Sequence, residues 1–175
     1  MSPKNHNPAA KRMGTGMMAV AWIIGMLILV KVFGIWEEQQ FNPNQNPDAH
    51  TNQQGDRVVR LKRNRYGHYI TNGTINSQPV TFMVDTGATT VSIPAELAHR
   101  LRLKKGAVSY AITANGTIDV YATQLDQLTI GNITLRNVAA DINRHMNGEG
   151  ILLGMSVLKY LDFAQQGDTL TLRQY

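Results

Sequence analysis

The run Val80-Thr81-Phe82-Met83-Val84-Asp85-Thr86-Gly87-Ala88 places one carboxylate at the end of an apolar, β-branched stretch, where a tight turn begins. A buried strand that ends in an acid presents that acid to a cleft. With a second carboxylate facing it, the acid can activate a water molecule. Gly87 lets the backbone turn sharply and approach a ligand closely. Thr86 adds a hydroxyl beside the acid that can hold the loop. As a bare tripeptide Asp-Thr-Gly is also ordinary turn chemistry, in which Asp85 would be a turn residue only.

Other chemistries find less support. The chain has no cysteine, which excludes thiolate catalysis, disulfides and cysteine-based zinc sites. His6, His50, His68, His99 and His145 are scattered without a pair at ligand spacing, so no metal site is expected. Ser92 and Ser109 have no neighbouring His and Asp arranged for nucleophilic attack. Asp119, Asp126 and Asp141 lie in or beside strand-like runs without an apolar approach or a following Thr-Gly. They are expected to be solvated or to cap turns. The polar loop from Asn143 to Gly150 can shape a subsite, or be plain surface.

The elements that must position Asp85 are short β runs separated by turns. Tyr69 to Thr71 and Thr74-Ile75 lead through Asn76-Ser77-Gln78-Pro79 into Val80 to Val84. Tyr110 to Ile112 and Ile118 to Tyr121 flank Thr113-Ala114-Asn115-Gly116-Thr117, a strong hairpin signal. Gly131-Asn132 marks a second hairpin and Gly167-Asp168 a third. Pro94 to Leu103 has helical spacing, with Ser92 as its expected cap and Pro94 in its first turn, and Met155 to Leu161 reads as a short helix. Ile151-Leu152-Leu153-Gly154 is an apolar strand that can pack near the Asp85 loop. No repeat of 20–50 residues is found. The fold expected over residues 57–175 is all-β, closed or sandwich-like, with one or two short helices.

Ahead of this domain, residues 13–30 carry no charge, and the apolar character continues past Lys31 to Trp36. As a helix, residues 13–36 would span about 36 Å, enough to cross a core of about 30 Å with some tilt. A cleaved signal peptide is shorter and ends in small residues. Here the run ends in Ile35-Trp36-Glu37-Glu38, so an uncleaved transmembrane anchor is expected. Lys4, Lys11 and Arg12 in the segment 1–12 precede it, which places the N-terminus in the cytoplasm and the remainder outside. Residues 37–56, rich in Asn, Gln and Pro, read as a flexible tether with a reach of roughly 25 Å.

The formal net charge of +5 mostly reports the N-terminus: from Glu37 onward 13 basic residues face 12 acidic ones. The cluster Arg57, Arg60, Lys62, Arg63 and Arg65 alternates with Val59 and Leu61, as on a solvated strand face, and no nucleic-acid partner is expected.

Asp85-Thr86-Gly87-Ala88, the Leu152-Leu153-Gly154 element before a helix, and the Asn-Gly hairpin between them together resemble the single-domain, retroviral-protease-like (retropepsin-like) aspartic proteases. The resemblance covers roughly residues 66–172 and looks closest to the membrane-anchored bacterial branch. It implies a retropepsin-like closed β-barrel and an endopeptidase in a bacterial inner membrane, with its catalytic domain in the periplasm. It implies Asp85 as catalytic residue, Thr86, Gly87 and Ala88 as loop support, and Ala114, Asn115 and Gly116 as a flap over an extended peptide. Leu152, Leu153 and Gly154 would partner the catalytic loop. Neither cofactor nor metal is implied. The family uses two such loops and this chain has one, so a homodimer must pair Asp85 with its copy. Viral members often carry an acid at the position of Thr89 and an arginine at that of Met155, an ion-pair brace that this chain cannot form. The alternative is a non-catalytic, membrane-tethered β module that binds peptides or a partner protein in the same groove.

Overall fold

In the computed structural model, which describes residues 8–113 and 116–175, the chain divides after Glu38 into a helical unit and a β unit. Helix α1 runs Pro8–Phe41, longer at both ends than residues 13–36. Proline is tolerated in a first helical turn. No later proline interrupts the helix before Pro43. The apolar side chains lie all around α1 rather than along one stripe, and Trp22, Met26 and Leu29 are two-thirds or more exposed. This helix is long and apolar enough to cross a membrane, a property that a leader segment shares.

Among the described residues, the β unit has eleven strands and two short helices. In chain order they are β1 (Asp48–Thr51), β2 (Arg57–Lys62), β3 (Ile70–Ile75), β4 (Gln78–Val84), β5 (Val91–Pro94), α2 (Ala95–Arg100), β6 (Val108–Thr113), β7 (Gly116–Ile130), β8 (Ile133–Asn143), β9 (Gly150–Leu153), α3 (Met155–Leu158), β10 (Asp162–Gln166) and β11 (Thr169–Gln174). One sheet has the order β1-β2-β11-β10 and the other β3-β4-β9-β5-β8-β7-β6. In the larger sheet Thr74 and Ile75 of β3 also pair with Thr129 and Leu128 of β7, so the strand pairing returns to where it began. Phe82, Ile93, Leu125, Leu128, Ile142, Ile151, Leu153 and Leu158 are fully buried within.

The turns follow their residue types. Gly131, at φ 55°, joins β7 to β8, and Gly167, at φ 59°, joins β10 to β11. Asn76 and Ser77 both take positive φ between β3 and β4. Asn76 offsets that strain by donating its N–H to the Gln127 carbonyl at 2.9 Å and accepting the Gln127 N–H on Oδ1 at 3.0 Å. On β2, Val59 and Leu61 are buried while Arg57, Arg60 and Lys62 are exposed, the solvated basic face that the alternation implies.

Two expectations fail. Ser92 does not cap α2: it lies within β5, and Pro94 stands at the cap position without a side-chain bond. Nor are residues 37–56 an unstructured tether before a domain starting at 57. The β unit begins at Gln39, and β1 pairs along β2 from Asp48↔Arg60 to Thr51↔Arg57. Asn42 and Asn44 are buried. Asn44 donates to the Lys62 carbonyl at 2.9 Å and the Ile70 carbonyl at 2.7 Å, and accepts the Lys62 N–H at 2.7 Å. The composition argument treats asparagines as surface that folding cannot use. Here their amides are cross-links between main-chain segments. Asn44→Ala is therefore expected to lower the unfolding free energy by about 2 kcal/mol. A shifted urea midpoint for residues 39–175 measures this, and an unchanged midpoint would return the segment to a tether.

Candidate active site

Strand β4 ends at Val84, beside Leu153 of β9 in a parallel register that begins with Thr81↔Gly150. Val84 donates its N–H to the Tyr69 carbonyl at 2.9 Å, and Asp85 donates its own to the Leu153 carbonyl at 3.1 Å. The main chain of Asp85 is thereby fixed from both neighbouring strands. Its carboxylate Oδ1 accepts the Gly87 N–H at 2.9 Å, and its carbonyl accepts the Ala88 N–H at 3.3 Å. These bonds hold the turn and leave Thr86 and Gly87 exposed while Asp85 stays half-buried.

The structure thus brings Asp85, Thr86, Gly87 and Ala88 against Leu153 and Gly154. Leu153 and Gly154 are buried, and Leu152 is half-buried opposite Ser92 of β5. After Gly154 the chain turns into α3. Met155 donates its N–H to the Ala88 carbonyl at 2.8 Å, and Ser156 donates its N–H to the Thr89 carbonyl at 2.9 Å. Thr89 and Met155 cannot form the viral ion pair, yet main-chain bonds tie the two segments together.

Ser156 and Thr90, which sequence reasoning passed over, complete the brace together with Asp141. Ser156 is buried; its Oγ accepts the Val91 N–H at 3.1 Å and donates to the Ala139 carbonyl at 2.8 Å. Thr90 donates its hydroxyl to the Asp141 carboxylate on β8, so Asp141 braces the loop rather than being merely solvated. These pairs are 51 and 65 residues apart. Ser156→Ala removes a buried hydroxyl and leaves the Val91 N–H and the Ala139 carbonyl without it, so a loss of about 2 kcal/mol in unfolding free energy is expected, measured by denaturant titration. A loss below about 0.5 kcal/mol would show that the hydroxyl does not brace the loop.

Of the expected flap residues, Ala114 and Asn115 lie outside the described residues. Gly116 opens β7 at φ 111°, opposite Thr113, whose hydroxyl donates to the Gly116 carbonyl at 2.8 Å. Tyr110 and Ile112 on β6 are exposed, Ile112 at 89%. Asp119 on β7 is not a lone solvated acid. It accepts from the Arg144 guanidinium, and its Oδ1 lies 3.2 Å from His145 Nε2. The His145 hydrogen bond, and then that from Arg144, hold its carboxyl below the usual carboxylate range. A lowered value means that whatever the contact contributes is fully present above an ordinary Asp pKa of about 3.9. That contribution is lost only as the pH falls through the lowered value. Among the described residues, no group of three His, Cys, Asp or Glu side chains is placed to hold a metal ion.

This arrangement has relatives. An uncharacterized protein from the region 5′ of cobV in a Sinorhizobium species is 29% identical over 93% of this chain and 75% of its own length. An uncharacterized protein of Rickettsia prowazekii is 30% identical over 58% of this chain and 44% of its own. The crystal structure of a retropepsin-like aspartic protease from Rickettsia conorii superposes with a TM-score of 0.58 at 28% identity, covering 68% of this chain and 92% of that one. Residues 71–160, just over half of the chain, match the family described as "gag-polyprotein putative aspartyl protease". The matched stretch runs from β3 through α3, taking in the Asp85 turn and the strand that braces it, and by that match and this fold the chain belongs to the retropepsin-like aspartic protease family.

Proposed function

We propose that this protein is a membrane-anchored, homodimeric aspartic endopeptidase. The observation that carries the reading is the setting of Asp85. It stands at a strand end with its own main chain bonded to Leu153 and Ala88 and that of Val84 bonded to Tyr69, and it adjoins exposed Thr86 and Gly87. One chain supplies one such carboxylate, so a second copy must supply its partner across a two-fold axis.

Two carboxylates side by side cannot both ionise and therefore share one proton. The ionised carboxylate takes a proton from a water molecule whose oxygen attacks the peptide carbonyl. The protonated one donates to the carbonyl oxygen. On collapse of the tetrahedral intermediate the amine leaves with the proton taken from water, and a hydroxyl of the intermediate returns its proton to the other carboxylate, with no covalent enzyme intermediate and no cofactor. Thr86 from each chain braces the paired loops, the β6–β7 hairpin closes over the peptide, and the ring of strands from β3 round to β7 forms a closed barrel behind the site. Helix α1 serves as a single-pass anchor in a bacterial inner membrane, the basic N-terminus in the cytoplasm and the protease domain in the periplasm. The excess of Lys and Arg ahead of the span, and the bacterial relatives, support that placement.

The test incubates the full chain in detergent micelles with an unbiased peptide mixture from acid to neutral pH, beside Asp85→Asn, and reads new termini by mass spectrometry. Cleavage by the wild type alone supports the reading and reveals the side-chain preference. Equal cleavage by both proteins, or silence of a wild type that sediments as a dimer, overturns it.

A further inference from the structure

The loop joining β8 to β9 is pinned by charge at both ends, and one pin reaches the β6–β7 hairpin. Asn143 is buried at the end of β8, and its Oδ1 accepts the His145 N–H at 2.8 Å. This side-chain turn directs the next two residues outward. Arg144 donates to Asp119 Oδ2 and lies over the Tyr121 ring, 5.3 Å from its centroid. His145 Nε2 is 3.2 Å from Asp119 Oδ1, so both carboxylate oxygens are engaged by the loop. Asp119 and Tyr121 both belong to β7, and Asp119 faces Tyr110 of β6 across the hairpin. At the far end, Glu149 pairs with Arg100 of α2 at 2.7 Å. The next residue, Gly150, opens β9, and the Leu153 carbonyl of that strand receives the Asp85 N–H.

We propose that Asp119, Arg144 and His145 are positioning residues: they clip the β6–β7 hairpin to the loop that leads into the strand bracing Asp85, and so set the pose in which the hairpin meets a peptide. The proposal rests on the endopeptidase reading for its consequence, though not for its first measurement. An exposed ion pair by itself contributes little. This one differs in three respects. Two cationic or hydrogen-bonding partners converge on a single carboxylate. One of them also covers an aromatic ring on the same strand. The bonds also lie one step past Val120↔Asn143, the last pair of the β7–β8 ladder, so they hold the start of the loop to β7 where that ladder has ended.

The experiment is hydrogen–deuterium exchange on the full chain in detergent micelles, without substrate. The proteins compared are wild type, Asp119→Asn, Arg144→Gln, His145→Gln and the charge-swapped pair Asp119→Arg with Arg144→Asp. Each single variant is expected to speed exchange of the β6–β7 amides by about threefold to fivefold, while the β10–β11 amides stay as in the wild type. The swapped pair is expected to recover most of the lost protection, and added salt to weaken the wild type towards the single variants. Unchanged hairpin exchange in Asp119→Asn, or a swapped pair no better protected than its single variants, overturns the clip. On peptides, a set pose predicts that Asp119→Asn raises KM by about threefold to fivefold with kcat within about twofold. A fall in kcat at constant KM overturns it. Silence towards peptides with the exchange pattern as expected counts against the endopeptidase reading and leaves the clip standing.

Discussion

Asp85→Asn is expected to reduce peptide hydrolysis by about a thousandfold or more while leaving the thermal midpoint nearly unchanged. The two outcomes separate because the side chain has two jobs. As a structural group, its Oδ1 accepts the Gly87 N–H at 2.9 Å, and an amide oxygen of the same shape accepts it equally. As a chemical group, the carboxylate must take a proton from water, and an amide does not. A mixing experiment sharpens the test. If wild-type and Asp85→Asn chains pair at random, an equal mixture contains about one quarter wild-type dimers, and activity follows the square of the wild-type fraction. Specific activity against mixing ratio therefore distinguishes a shared site from a self-sufficient one. A straight line would sink the paired-carboxylate mechanism, and full activity of the variant alone would remove Asp85 from the chemistry.

The second large effect is expected at Gly154. A Cβ there would stand 2.2 Å from the Thr90 carbonyl oxygen and 2.6 Å from that of Ala88. Both are main-chain atoms, and neither can swing aside as a side-chain tip can. The same few residues carry the Met155 bond to Ala88 and the Ser156 bond to Thr89, so relief of the clash must break the knot that holds the Asp85 turn. Gly154→Ala is expected to cost about 3 kcal/mol or more and to remove activity with it. Gly150→Ala is the control. It changes the glycine that opens β9, whose added methyl would meet nothing within 4 Å, so a change within about 0.5 kcal/mol is expected. Denaturation of the two variants side by side gives the answer. Equal stabilities would mean that the close approach at Gly154 is not a constraint on the fold.

What could be read from the chain beforehand divides along physical lines. Hairpins at Gly131-Asn132 and Gly167-Asp168 were legible because a positive φ beside alternating apolar residues is a local requirement that local sequence must meet. The Asp85 turn was legible for the same reason, since an apolar strand, an acid and a glycine are adjacent. The packing of Leu152-Leu153-Gly154 beside it came from resemblance and apolarity, and the parallel register supplies the contact. The partners of Ser156 and the Thr90–Asp141 bond were not legible, because nothing local marks a hydroxyl whose partners lie 17, 51 or 65 residues away. Residues 37–56 misled in a different manner. Their average composition is that of a solvated linker, but two particular amides, Asn42 and Asn44, are buried. A mean over twenty residues conceals two. Ser92 shows the converse error: a residue type suited to capping lies where a strand continues instead.

The smaller sheet joins both ends of the β unit. Its central pair is β2 with β11, with Arg57 opposite Gln174, 117 positions on. A ribosome making this chain releases β2 long before β11, so β2 waits for its inner neighbour while the rest of the β unit is made. Closing so long a loop is slow, and contacts of this separation come late in folding. The β unit therefore lacks its finished native state until β11 has emerged. A chain interrupted before β11 leaves β2 without a central partner, however intact the Asp85 turn is in sequence. Maturation of the β unit is thereby tied to synthesis of β11, and a product interrupted before it remains a substrate for quality control.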